Sequence, residues 1–102
     1  MSAKRALIMH ASDNVATAVE EIRSGEQVAA RLGDQVVTLE ALETIPFGFK
    51  IAVEEIPGGG IIRKYGEPIG RATSTIRRGA MVHVHNLEGI RARGDLEGRS
   101  QR

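Results

Sequence analysis

The 102-residue chain has no cysteine and no tryptophan, and its aromatic side chains are Phe47, Phe49 and Tyr65 alone. Without cysteine, disulfides and thiolate-held zinc or iron–sulfur clusters are excluded within this chain, and a reducing cytoplasm is the compartment that fits. With so few aromatics, burial has to come from Ile, Val, Leu, Ala and Met. That favours a thin core in a compact β architecture, or apolar surface borrowed from a partner, a second copy of the chain included. An excess of charge is also missing: 14 Lys and Arg stand against 13 Asp and Glu, a formal net charge of +1. A nucleic-acid surface usually shows as a basic excess, so none is expected here, the arginine-rich C-terminus being a local exception. Long hydrophobic runs are absent as well. The basic start Met1-Ser2-Ala3-Lys4-Arg5 leads into an apolar stretch too short for a signal-peptide core or a membrane span. The chain therefore reads as soluble and cytoplasmic, with no membrane partner.

What is present is a series of short apolar segments separated by turn residues, within the size of one domain. Ala6 to Met9 suits a buried strand, and Ser12-Asp13-Asn14 supplies turn chemistry. Val15 to Ile22 fits two patterns, a helical face capped by Asp13 or an alternating strand. One motif then recurs. Ile22, Ile45, Ile56 and Ile76 are each followed three positions later by Gly and six later by Val or Ile. An apolar anchor, a turn, a glycine and a departing strand make a corner. The anchors are 23, 11 and 20 residues apart, too irregular for a solenoid and suited to short strands folded at several corners. Gln27–Arg31 and Gln35–Leu39 predict a hairpin turning at Gly33-Asp34. Leu39 and Leu42 suggest at most one helical turn, and Phe49–Val53 a strand. Gly58-Gly59-Gly60 lacks the lysine and following helix of a phosphate loop. From Leu87 the composition becomes polar and glycine-rich, which predicts a frayed tail, and the Arg93-Gly94-Asp95 triplet within it reads as coincidence.

The chemistry concentrates between Ile61 and Asn86. Read as a strand, Met81-Val82-His83-Val84-His85 puts His83 and His85 on one face, their Cβ atoms about 7 Å apart. His10, beside Asp13 and Asn14, is the remaining histidine. A fold joining these segments would gather His10, His83 and His85 into a three-imidazole metal cluster with oxygen ligands nearby; half-exposed histidines bonded to backbone are the alternative. Lys64 and Tyr65 project to opposite faces if extended; Lys64 reads first as a solvated lysine, with pairing to a substrate carboxylate or, if desolvated, service as a base as the alternatives, and Tyr65 suits a core edge. Glu20-Glu21 and Glu54-Glu55 read as surface charge rather than a hydrolase carboxylate pair.

Four segments in order, His10-Ala11-Ser12-Asp13-Asn14-Val15-Ala16, Ile45 to Ala52, Lys64-Tyr65-Gly66-Glu67-Pro68-Ile69-Gly70-Arg71-Ala72-Thr73 and Val82-His83-Val84-His85-Asn86, resemble the successive motifs of the SAF domain of the altronate and galactarate dehydratase family. The resemblance covers residues 5 to 88. It implies a mainly β fold of the β-clip type, short strands with tight Gly turns and little or no helix, with Val15–Ile22 mainly extended. It assigns 1–88 to the domain and 89–102 to a flexible tail. The family usually has Pro where this chain has Ala11, and His where it has Phe49. In the family, this domain is the N-terminal part of sugar-acid dehydratases or the small subunit of two-chain relatives, including sulfolactate sulfo-lyase. The implied function is the small subunit of a sugar-acid dehydratase, a lyase inactive alone, which completes the site of a large dehydratase subunit. The implied cofactor is a divalent metal, commonly Fe2+, held mainly in that large subunit. On this reading His83, His85 and Lys64 are catalytic, and His10, Asp13, Asn14, Lys50, Tyr65 and Asn86 bind the small sugar acid. A non-catalytic binding module of the same fold is the main alternative. A cupin-like metal enzyme fits less well, because the spacing from Gly79 to His83 is short and no second motif follows.

Overall fold

The computed structural model describes residues 3–89. The stretch 90–102, with the expected tail and the Arg93-Gly94-Asp95 triplet, lies outside the described residues, as do the first two. The described chain is all strand and turn, without a helix, as the mainly β expectation requires. No helix among these residues is long and apolar enough to cross a membrane. The strands are β1 (Lys4–Leu7), β2 (Val15–Ala18), β3 (Gln27–Leu32), β4 (Gln35–Glu40), β5 (Lys50–Ala52), β6 (Ile61–Lys64), β7 (Glu67–Ala72), β8 (Met81–Val82) and β9 (Leu87–Gly89). They form a six-stranded sheet in the order β4-β3-β1-β2-β5-β8 and a three-stranded sheet in the order β6-β7-β9. Only β1 and β3 pair in parallel; every other ladder is antiparallel. The hairpin predicted at Gly33-Asp34 joins β3 to β4, with Leu32 opposite Gln35. Val15–Ala18 is extended, so the strand pattern prevails over the helical one. The helical turn suggested at Leu39 and Leu42 does not form, because Leu39 is still paired to Val28 in the ladder.

The four corners are one device. At each, the residue after Gly donates its N–H to the carbonyl three positions back: Glu26 to Arg23, Phe49 to Pro46, Gly60 to Pro57 and Ala80 to Arg77, at 2.7–3.0 Å. The third turn residue then needs a positive φ, and Gly25, Gly48, Gly59 and Gly79 have φ of 89°, 87°, 84° and 92°. The corners work in pairs. Ile22 and Ile45 exchange both backbone hydrogen bonds (2.9 and 2.7 Å), and Ile56 and Ile76 do the same (both 2.8 Å). Each corner glycine also donates to the carbonyl of an alanine that stands four residues before its partner's isoleucine. Gly25 donates to Ala41, Gly48 to Ala18, Gly59 to Ala72 and Gly79 to Ala52. The repeated unit is therefore Ala-x-x-x-Ile-x-x-Gly-x-x-Val/Ile, longer at its start than the sequence pattern suggested.

Each pair builds one core. Ala18, Ile22, Val28, Ala41, Ile45 and Ile51 belong to the first buried cluster, and Ala52, Ile56, Ile62, Ala72, Ile76 and Val82 to the second. The alanines are small because the partner's glycine turn lies against their backbone. Gly79 is the tightest corner: a Cβ there would collide with the Glu40 carbonyl oxygen, whereas one on Gly25 would meet nothing within 4 Å. Gly25→Ala should cost only the left-handed penalty, about 1–2 kcal/mol. Gly79→Ala should cost clearly more, because backbone must also move. Urea unfolding of the two variants checks this, and equal midpoints would refute it.

Candidate functional site

Two motifs far apart in the sequence meet at one edge. The loop after β1 carries His10 to Asn14, and each polar side chain in it has a defined partner. The Ser12 backbone N–H donates to His10 Nδ1 at 3.1 Å, and Ser12 Oγ lies 2.9 Å from the same nitrogen. A backbone N–H can only donate, so Nδ1 is the acceptor and neutral His10 presents Nε2–H outward. Asp13 is buried, and its carboxylate receives the N–H groups of Tyr65 (2.9 Å) and Gly66 (2.8 Å) on separate oxygens. Asn14, also buried, donates from Nδ2 to the Ile61 carbonyl and accepts the Arg63 N–H on Oδ1, both at 2.9 Å. It thereby holds β6 where the β6–β7 register shifts between Ile62 and Arg63.

These bonds shape the β6–β7 turn. Lys64 pairs with Glu67, which leaves Tyr65-Gly66 as a two-residue loop with φ of 59° and 74°. Gly66 has no side chain in the way, and the His10 ring occupies the space: its Cδ2 and Cγ lie 3.0 Å from where a Cβ would stand. Lys64 and Tyr65 were expected on opposite faces. The left-handed turn brings them together instead, with Lys64 Nζ 5.3 Å from the centre of the Tyr65 ring. A cleft of about 360 Å³ beside them is lined by Lys64, Tyr65, Glu67 and Ile69.

Lys50 approaches this edge from the sheet. It stands opposite Thr17 on β2 and Val82 on β8, on the face that bears the second core. Burial, and secondarily the charge of Lys64, push its pKa below the ordinary lysine value of 10.5. Thr17 Oγ1 is buried with no hydrogen-bond partner among the described residues. Thr17 was not singled out from sequence, and Ser12 only as turn chemistry; a serine two places after a histidine in a turn is the signal that could have pointed to its contact with the ring.

The histidine segment departs from expectation. Met81–His85 is not a strand beyond Val82. Asn86 folds the chain back: its Oδ1 accepts the His83 N–H, its Nδ2 donates to the Met81 carbonyl, and its backbone N–H donates to the His83 carbonyl, each at 2.9 Å. His83 and His85 thus occupy the first and third places of a turn, and strand alternation no longer aligns them. His83 packs on Phe49, ring centres 4.5 Å apart, on the face of the first core and away from Lys50. His85 is exposed. Among the described residues no three His, Asp or Glu side chains gather closely enough to hold a metal ion, so the cluster of His10, His83 and His85 does not form. The oxygens of Asp13 and Asn14, committed to backbone N–H groups, do not fit a metal centre either.

The profile of the altronate/galactarate dehydratase SAF domain matches residues 4–89. The chain is 40% identical over 80 residues to altronate dehydratase of Bacillus subtilis, covering 78% of this chain and 15% of that one. It is 40% identical over 74 residues to galactarate dehydratase (L-threo-forming) of Escherichia coli, covering 72% of this chain and 13% of that one. It is 33% identical over 85 residues to (2R)-sulfolactate sulfo-lyase subunit alpha of Chromohalobacter salexigens, covering 79% of this chain and 90% of that one. The chain therefore spans a small part of the dehydratases and nearly all of the sulfo-lyase subunit.

The Lys50 environment sets a pH dependence. With its folded pKa depressed, the folded protein binds fewer protons than the unfolded one between the two values, so Lys50 lowers stability below that window and the penalty disappears as pH rises through it. Lys50→Met should melt higher than the parent at pH 7, and the advantage should shrink as pH rises toward 10.5. Thermal melts across that range decide it, and a pH-independent difference would be the contrary result.

Proposed function

Because the chain belongs to the altronate/galactarate dehydratase SAF domain family, we propose that it is a small subunit which completes the acid-binding site of a larger lyase chain. The observation that carries this reading is the joining of His10–Asn14 to Ile61–Gly66 by four side-chain-to-backbone hydrogen bonds, at an edge that also receives Lys50. Such a lyase removes the proton next to a carboxylate, breaks a C–O bond one carbon further on, and returns a proton to the departing oxygen. Lys64 and Lys50 supply positive charge for the carboxylate and for the negative charge it gains as the proton leaves. An anion between the two ammonium groups also relieves their repulsion. His10 Nε2–H is a hydrogen-bond donor that orients the leaving oxygen, and the proton that oxygen takes up comes from an acid of the larger chain. The base comes from the larger chain.

His85 and Asn86, in the turn beyond β8, belong to the surface that meets the larger chain, and His83 stays against Phe49. The divalent metal implied by the resemblance supplies Lewis acidity when present. No donor set for it exists among the described residues, so no step assigned to this chain passes through it. A sulfo-lyase of the same plan, in which a C–S bond breaks, is the second reading. It is favoured by the 90% coverage of the sulfo-lyase alpha subunit, a separate small chain.

Co-expression with a large lyase chain of the same family, followed by assays on altronate, galactarate and sulfolactate, tests the proposal and separates its two forms. Lys64→Gln should lower kcat/KM by about 10–100-fold, mostly through KM, as expected for one lost charge-assisted hydrogen bond of about 1.5–3 kcal/mol. An unchanged KM in both Lys64→Gln and Lys50→Gln would exclude this edge from substrate binding.

A further inference from the structure

Tyr65 is the one non-glycine residue with positive φ among the described residues, at 59°. For an aromatic side chain this is an outlier, and two-residue hairpin loops of this kind favour Asn-Gly or Asp-Gly. The conformation is imposed from outside the turn: the Asp13 carboxylate holds both turn N–H groups, and Lys64 pairs with Glu67 on either side. The ring gives little back to the fold. It is 63% exposed, belongs to neither core, and touches Lys64; its hydroxyl has no partner among the described residues. It does form one wall of the cleft of about 360 Å³ that Lys64, Glu67 and Ile69 complete, a volume that suits a small polar molecule. Strain held by a buried support, with the strained side chain facing a cleft, is the arrangement found where a residue acts on something outside the chain.

We infer that Tyr65 is a specificity-determining residue: its ring backs the carbon chain of a polyhydroxylated acid whose carboxylate meets Lys64, and its phenol hydrogen-bonds one of the acid's distal hydroxyls. This rests on the acid-binding reading above and adds what the cleft selects. Acids with distal hydroxyls are favoured over short acids that lack them.

Two variants of the full chain test it. Tyr65→Asn creates the favoured Asn-Gly turn and should raise the melting temperature by about 4–8 °C, the shift for about 1 kcal/mol in a domain of this size. With the lyase partner, the same variant should raise KM for the sugar acid at least 10-fold, and by a clearly smaller factor for glycerate, which keeps the 3-hydroxyl that leaves but lacks the distal ones. Tyr65→Phe should keep the parent's melting temperature and raise the sugar-acid KM about 3–10-fold, the loss of one neutral hydrogen bond. A third readout needs no turnover. Tyr65 is the only tyrosine and there is no tryptophan, so the chain's intrinsic fluorescence reports this ring alone. Titration with the sugar acid should change it saturably. If the fluorescence responds but no pair turns over any acid, the lyase role fails and the binding inference stands. A melting temperature that does not rise in Tyr65→Asn, an unchanged sugar-acid KM in both variants, or flat fluorescence overturns it.

Discussion

The reciprocal backbone bridge between two isoleucines is the constraint on which the rest depends. Ile22 with Ile45, and Ile56 with Ile76, bring two turns into mutual contact, and each turn then lies on the alanine that leads into the other. This arrangement lets a chain with three aromatics form two buried cores. Glycine at the turn and alanine on the opposing strand let backbones approach closely, so isoleucine and valine interdigitate without needing large rings. Hydrogen bonding and packing thus reinforce each other. Polar backbone groups that a corner would otherwise leave unpaired are satisfied by the partner corner.

The two pairs are joined end to end, and the candidate site follows from that junction. Ile51 closes the second corner and Ala52 opens the third with no residue between them. Alternation along β5 therefore turns Ile51 toward one core and Ala52 toward the other. Lys50 and Ala52 share a face, which leaves the lysine at the rim of the second core, where β2 and β6 come close. Its partial burial results from how the pairs abut. Phe49, one residue earlier, faces the first core and gives His83 an apolar neighbour where the family usually has a second imidazole.

Much of the fold was legible in the residues because it is written as local spacing. The Ile-x-x-Gly unit gave the corners, and Gly33-Asp34 gave the hairpin with its pairing. The site was less legible because its geometry depends on side chains reaching backbone far away. Nothing near Tyr65 reveals that a carboxylate more than fifty residues earlier holds it left-handed, so extended geometry wrongly separated it from Lys64. Alternation also misled at His83 and His85, since Asn86 takes the Met81 carbonyl and the His83 N–H and ends the strand. The corner alanines were missed for a different reason: alanine in a strand attracts no notice until the turn resting on it is seen.

Motif and site are not the same residues. Within His10-Ala11-Ser12-Asp13-Asn14, Ser12 fixes the His10 ring, Asp13 fixes the Tyr65-Gly66 turn and Asn14 fixes β6. Three of the five residues are support, and His10 is left as outward chemistry. The edge they support carries two features that work against folding, a lysine held partly out of water near another lysine and a tyrosine in the left-handed region. Either alone is unremarkable in a small domain. The tyrosine lines the cleft over a buried carboxylate that accepts two backbone N–H groups, and the lysine lies near Lys64 on the cleft's wall; on the proposed reading these are the places where local rules give way to an external ligand. The corners supply the compensating rigidity: their reciprocal isoleucine bridges involve neither Lys50 nor Tyr65, so those two residues can stay strained while the bridges hold.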